Sequence, residues 1–221
     1  MSTEAFVKDA PSAFYDIIYW NKWPASFDIR FGSGIINRAS MLRNLKNRKT
    51  FTDKVNRMIE STACFSGHRP EKLPWNNDEE DARCKALKAR LFLAIEQAAQ
   101  QGYTHFITGM AKGIDTYAAE AVLSLKTCFP EITLECAIPF SGQSKGWNSR
   151  DKARYEHILH GSDKITILSD KYLPGCMQRR NRYLIKNSSL LIAVTTGAAG
   201  GTSQTIKIAS ERGIRILRLD V

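Results

Sequence analysis

The chain has 221 residues, 43% of them hydrophobic and 24% charged, a balance that suits one α/β domain with an appendage. Collagen-like, mucin-like and wholly disordered chains are excluded, and no apolar run approaches the roughly 20 residues that span a bilayer. Thirty-two Lys and Arg against 22 Asp and Glu give a formal charge of +10, which points either to anionic partners (nucleotides, nucleic acid, phosphorylated metabolites) or to solubility alone.

The start, Met1-Ser2-Thr3-Glu4-Ala5, lacks the basic-then-apolar pattern of a signal peptide. The five cysteines, Cys64, Cys84, Cys128, Cys136 and Cys176, form no CxxC pair. Neither a disulfide framework nor a zinc site is expected, and the reducing cytoplasm is the expected location.

Residues 1–60 read as an N-terminal extension, mainly helical. They hold an aromatic cluster (Phe14, Tyr15, Tyr19, Trp20, Trp23) and a Gly-Ser-Gly turn at Gly32 to Gly34. A basic run follows, from Arg43 through Lys46, Arg48, Lys49 and Lys54 to Arg57, inside a helix expected over Arg38 to Ile59. The clustered aromatics point to burial rather than to a free tail.

From Thr62 the pattern becomes regular. A strand over Thr62 to Ser66 ends in Gly67. After an acidic start at Asp78 to Asp81, a helical period runs through Leu87, Leu91, Ile95 and Ala98 and stops at Gly102. The expected elements then alternate: strand His105–Thr108, helix Ile114–Leu125, strand Ile132–Ile138, helix Arg150–His160, strand Lys164–Leu168. Helix Gln178–Lys186, strand Leu190–Val194, helix Thr202–Arg212 and strand Ile214–Leu219 complete the series. Short apolar strands alternating with helices predict a Rossmann-like, doubly wound, mostly parallel sheet with helices on both faces, over residues 61–221. Ligands of such sheets bind beyond the carboxyl ends of the strands.

Four loops stand there. Gly67, His68 and Arg69 follow the first strand; glycine lets backbone approach a phosphate, and arginine grips one bidentately. Gly109 and Gly113 bracket a turn into a helix whose first turn holds Asp115, either an N-terminal cap or a ribose ligand. Glu120 lies further along that helix. Arg179, Arg180, Asn181 and Arg182 open another helix, with Arg179 and Arg182 sharing a face and Arg180 pointing elsewhere. Gly197, Gly200, Gly201, Thr202 and Thr205 form the most specific of the four, a glycine- and hydroxyl-rich helix start suited to cradling phosphate. Trp147 and Tyr155 are read either as base-stacking aromatics or as core. His105 reads as a strand residue near the core. His157 and His160 lack the partners of a metal site, and no metal or cofactor is expected. Cys64 and Cys136, inside strands, read as buried inert thiols.

Taken together, Phe65 to Pro70, Thr108 to Asp115 with Ala118 to Glu120, Trp147 to Tyr155, Pro174 to Arg182 and Gly200 to Thr202 resemble the SLOG superfamily, in particular its YpsA-like branch. The resemblance implies a Rossmann-like fold and binding of nucleotides, nucleotide-derived signals or nucleic acid. Two related families imply different functions. DNA-processing protein A, which binds single-stranded DNA, carries a turn similar to Gly109–Asp115 and a helix similar to Arg180–Arg182. The Lonely Guy phosphoribohydrolases cleave the N-glycosidic bond of nucleoside monophosphates with a glutamate at the position held here by Thr205. A threonine neither stabilises an oxocarbenium-like centre nor activates water. Binding is therefore expected ahead of cleavage, with Asp115 and Glu120 as the remaining carboxylate candidates. The partners implied are a nucleotide-type small molecule or single-stranded nucleic acid, with a homo-oligomer possible and no membrane.

Overall fold

The computed structural model describes residues 28–31, 34–37, 50 and 52–221. The chain divides into two compact units, Met1–Lys54 and Val55–Val221. In the first, β1 (Asp28–Phe31) and β2 (Gly34–Asn37) form an antiparallel pair, with Asp28 opposite Asn37 and Phe31 opposite Gly34. Two strands therefore stand inside a segment expected to be mainly helical. Ile29, Ile35 and Ile36 flank the glycine-rich turn, but strands of four residues leave too short an alternation to be read as a hairpin. The aromatic cluster from Phe14 to Trp23 and the basic residues Arg43 to Lys49 lie outside the described residues. Helix α1 (residues 52–60) coincides with the tail of the helix expected over Arg38 to Ile59.

The second unit follows the expected alternation. Its elements are β3 (Thr62–Ser66), α2 (Ala82–Gln100), β4 (His105–Thr108), α3 (Ile114–Leu125), β5 (Thr133–Ile138) and α4 (Ser149–Gly161). Then come β6 (Lys164–Ile167), α5 (Cys176–Lys186), β7 (Leu190–Thr195), α6 (Gly201–Glu211) and β8 (Arg215–Asp220). A single 3-10 turn, Pro70–Lys72, was not foreseen. The six strands from β3 to β8 form one parallel sheet in the order β6-β5-β4-β3-β7-β8. This is a Rossmann-like fold.

Alternate residues of each strand enter different cores, as a period of two requires. Ala63, Phe65, Phe106, Leu134 and Ile192 pack with Leu87, Leu91, Ala118 and Ile158 of α2, α3 and α4. Cys64, Ile107, Ala137, Leu191 and Ala193 pack with Leu184, Ile185 and Ala209 of α5 and α6. Both faces are covered, which is why the central strands read as continuous apolar runs. Burial pushes the Cys64 thiol up to about 12 and the Cys136 thiol to about 11, so neither is a nucleophile near neutral pH. Among the described residues no helix is long and apolar enough to cross a membrane.

One charged side chain breaks the apolar pattern of the second core. Glu135, in β5, is 1% exposed. Burial by itself would raise its pKa, yet hydrogen bonds reverse the direction and hold it down at about 2. Tyr183 Oη donates to it at 2.6 Å, Thr166 Oγ1 at 2.7 Å and Lys164 Nζ at 2.9 Å, and His105 Nε2 lies at 3.0 Å. His105, expected to be a bland strand residue, is thus part of a buried polar cluster that ties α5 to β4, β5 and β6.

Candidate functional site

The strand order reverses at β3. The chain steps outward from β3 through β4 and β5 to β6, then crosses back to place β7 on the other side of β3. Helices α2, α3 and α4 cover one face, α5 and α6 the other. Above the carboxyl ends of β3 and β7 a crevice is left open, as the topology of such sheets demands. A cavity of about 290 Å³ occupies it. Its walls come from all four loops: Gly67 to Arg69 after β3, Ala111 and Asp115 around the start of α3, Arg180 and Asn181 from α5, and Gly201 and Thr202 from α6.

Close backbone approaches build this cleft. A Cβ on Gly67 would stand 2.3 Å from Cβ of Ile114, so only glycine lets β3 turn over the start of α3. Gly113 has φ +87°, and a Cβ there would meet the His68 carbonyl at 2.8 Å. A Cβ on Gly109 would sit 1.3 Å from Nη1 of Arg180, so the guanidinium lies directly on the glycine backbone. Between them Met110 adopts φ +56°, unusual for a side chain of its size.

The centre of the cleft is an ion pair between elements 65 residues apart. Arg180 Nη1 donates to Asp115 Oδ2 at 2.7 Å, and the same oxygen accepts from the Ala111 amide at 3.2 Å. The two side chains are 9% and 5% exposed. Asp115 is therefore more than a plain cap: it orients the arginine, and it lines the cavity as well. Arg180 Nε is buried with no hydrogen-bond partner, and the residue lines the cavity. A donor held there without an acceptor is costly unless a ligand supplies one.

The other walls are also cationic or rich in N–H groups. Arg69 and Lys72 line the cavity with no acidic partner among the described residues. Lys72 Nζ lies 3.3 Å from where a Cβ of Gly200 would be, at the start of α6. Ser203 Oγ accepts from the Gly200 amide and donates to its carbonyl, both at 2.8 Å, and so shapes that first turn. His68 is buried beside it. Desolvation, helped by the charge of Lys72, lowers its pKa. The neutral ring accepts from the Thr196 amide at 3.2 Å through Nε2, which anchors the loop after β7. Three cations, Arg69, Lys72 and Arg180, thus face one carboxylate, Asp115.

The remaining expected residues separate clearly. Asn181 lines the cavity and donates to Thr205 Oγ1 at 2.8 Å, while Thr205 donates to the Gly201 carbonyl at 2.8 Å. Thr205 is fully buried and holds the wall rather than forming it. Arg180, one of the two arginines expected to meet phosphate, lines the cavity; Arg179, expected beside it, is exposed and does not, and neither does Arg182. The phase of Arg180 was legible, because Cys176, Arg180 and Leu184 fall four apart on the buried stripe of α5. Glu120 is elsewhere, gripped by Arg154 through Nε at 2.6 Å and again through Nη2. Gly197 lies in an exposed loop with φ +77°, donates its amide to Thr195 Oγ1 at 3.0 Å and does not line the cavity. Lys72 was missed by the sequence reading. Its signal is Pro70 at the start of a 3-10 turn, which folds the chain back so that Lys72 returns over the cleft.

Comparison with known proteins agrees with this architecture. The chain is 33% identical over 138 residues to the SPbeta prophage-derived protein YoqJ of Bacillus subtilis (strain 168), covering 57% of this chain and 81% of that protein. It is 28% identical over 152 residues to a UPF0398 protein of Bacillus thuringiensis (strain Al Hakam), covering 66% of this chain and 80% of the relative. Among solved structures, DNA processing protein A of Streptococcus pneumoniae superposes with a TM-score of 0.50 at 20% identity over 71% of this chain. The match spans about half, 49%, of the pneumococcal protein. DNA processing protein A of Helicobacter pylori, whose structure is described in terms of its single-stranded DNA binding mode, gives 0.51 at 17% identity over 75% of this chain and 67% of its own. Both likenesses concern the fold. The sequence pattern of the YspA SLOG family matches residues 63–212, which run from β3 past the end of α6 and contain every wall of the cleft, and the chain belongs to that YpsA family of SLOG proteins.

Proposed function

We propose that the protein binds a nucleotide or nucleotide derivative, with the ligand's phosphate in the cleft above β3 and β7. The observation that carries this reading is the charge inventory of the cavity. Arg69, Lys72 and Arg180 converge on the start of α6 against a single carboxylate that Arg180 already engages. A helix start contributes further positive potential and free N–H groups. Arg180 Nε is the buried donor that a phosphate or ribose oxygen would satisfy. Binding is favoured over N-glycosidic cleavage because the two carboxylates considered for catalysis are engaged elsewhere, Asp115 by Arg180 and Glu120 by Arg154, and Thr205, at the glutamate's position, bonds to Asn181 and Gly201.

Thermal-shift and calorimetric titration against nucleoside mono- and diphosphates at two salt concentrations tests the reading. The expected result is stabilisation by a small nucleotide that persists at the higher salt, since a ligand bound only to the folded state raises its stability. Lys72→Ala is expected to weaken that binding about tenfold, the order of one charged hydrogen bond, without lowering the melting temperature, because the ammonium has no acidic partner among the described residues. An unchanged dissociation constant in this variant would remove Lys72 from the site.

A second reading, a single-stranded DNA-binding accessory factor, is favoured by Arg179 and Arg182, which are exposed on α5 beside the cleft, and by the net charge of +10. Its mark is a stabilisation produced by a short single-stranded oligonucleotide and lost steeply with salt, with no response to mononucleotides.

A further inference from the structure

We propose that the nucleotide site continues into a second compartment, and that its ligand carries two ring systems joined through phosphate, as a dinucleotide does. The inference rests on the nucleotide-binding reading and adds the class of ligand. A second cavity of about 230 Å³ adjoins the first and shares Arg69, Ala111 and Met177 with it. Either cavity alone falls at or below the roughly 300 Å³ at which small-molecule sites begin; together they form one elongated cleft.

The second compartment has the features of a ring subsite. Trp147 forms one wall. Its indole is held edge-on by Tyr155, with centroids 5.3 Å apart at 78°, so its orientation is set before any ligand arrives. Lys112 Nζ lies 5.7 Å from the indole centroid and 3.3 Å from Asp151 Oδ2. Gln143 supplies the independent observation. Its amide nitrogen donates to the Met110 carbonyl, which fixes the amide's orientation, and its Oε1 is then buried with no partner. The first cavity holds an orphan donor, Arg180 Nε, and the second an orphan acceptor, Gln143 Oε1. A phosphate oxygen answers the first, and a ring N–H or exocyclic amine answers the second. Arg69, common to both compartments, stands where a bridging phosphate would cross. A third cavity beyond Trp147 and Lys112 is lined by Glu79 and Arg154, which pair with each other; it offers no comparable unsatisfied group.

The test is calorimetry on the full chain with ADP, NAD and diadenosine diphosphate, and with oligothymidylate as a control. The wild type is expected to bind at least one dinucleotide about tenfold more tightly than ADP, the order of one stacked ring. Trp147→Ala should bring the dinucleotide to the affinity of ADP while leaving ADP binding unchanged. Gln143→Met, which keeps the volume and removes the acceptor, should do the same in part, and it stands in if the tryptophan variant proves poorly folded by circular dichroism. ADP binding with both dinucleotides equal or weaker overturns the second compartment and leaves the nucleotide reading intact. Failure of all three nucleotides, with oligothymidylate bound in a salt-sensitive way, overturns the nucleotide reading and this inference with it.

Discussion

Gly109→Ala is expected to abolish ligand binding and to destabilise the domain by about 3–5 kcal/mol, the order found when a buried ion pair loses one partner. The new methyl group would occupy the position of Arg180 Nη1, 1.3 Å away, and would also meet Cδ of the same side chain at 2.8 Å. The guanidinium has to leave. Asp115, only 4% exposed, then stays behind with the Ala111 amide as its remaining hydrogen-bond donor. Urea denaturation measures the stability and calorimetry the binding. Arg180→Ala should produce a similar loss by the opposite route, and the double variant should be no worse than either single one, because removing the guanidinium makes room for the methyl group. Additive losses would show that Gly109 and Arg180 act at independent sites and would dissolve the proposed centre of the cleft.

Glu135→Gln is expected to cost about 3 kcal/mol at neutral pH without affecting nucleotide binding. The magnitude follows from a carboxylate whose folded-state pKa is about 2, at 1.36 kcal/mol per unit below its ordinary value. The sign is that of a depressed acid. The stabilisation is complete above the ordinary carboxylate range near 4.5 and disappears as pH falls through about 2. The gap between wild type and variant should therefore be widest at pH 7, about 6–12 °C in melting temperature for a domain of this size, and should close progressively below pH 4.5. A gap that does not change down to pH 2 would mean that the hydrogen bonds with His105, Tyr183, Thr166 and Lys164 are not what holds the proton off. Tyr183 lies one turn from Arg180 on α5, so this cluster ties that helix to the sheet and the Asp115 ion pair ties it to the start of α3.

Much of the fold was legible in the sequence. The strands Thr62–Ser66 and His105–Thr108 and the helix Ile114–Leu125 have the expected bounds, because each combines a clear apolar period with a glycine or a polar break at its end. The strands β1 and β2 were not legible as such, since a two-stranded pair leaves only a short, weak alternation. Of the site, the four loops were legible, because a parallel sheet can expose only the ends of its strands and each of the loops there carries a glycine. The roles within them were less so. Glu120 looked available because its partner, Arg154, lies 34 residues away on another helix. Asp115 read either as a cap or as a ribose ligand because its partner, Arg180, lies 65 residues away on another helix.

The sequence by itself determined the class of the fold, the glycines that border the cleft and the excess of positive charge, because local periodicity and backbone sterics are properties of neighbouring residues. Only the tertiary structure decided which charges meet. The crossing from β6 back to β7 brings α5 over β3 and β4, and that crossing chooses Arg180 over Arg179 and Arg182, couples it to Asp115 and Gly109, and leaves its Nε without a partner. The turn after Pro70 brings Lys72 to the start of α6. Coulombic and hydrogen-bond energies depend on distances between residues far apart in the chain, and those distances exist only once the sheet has set its strand order.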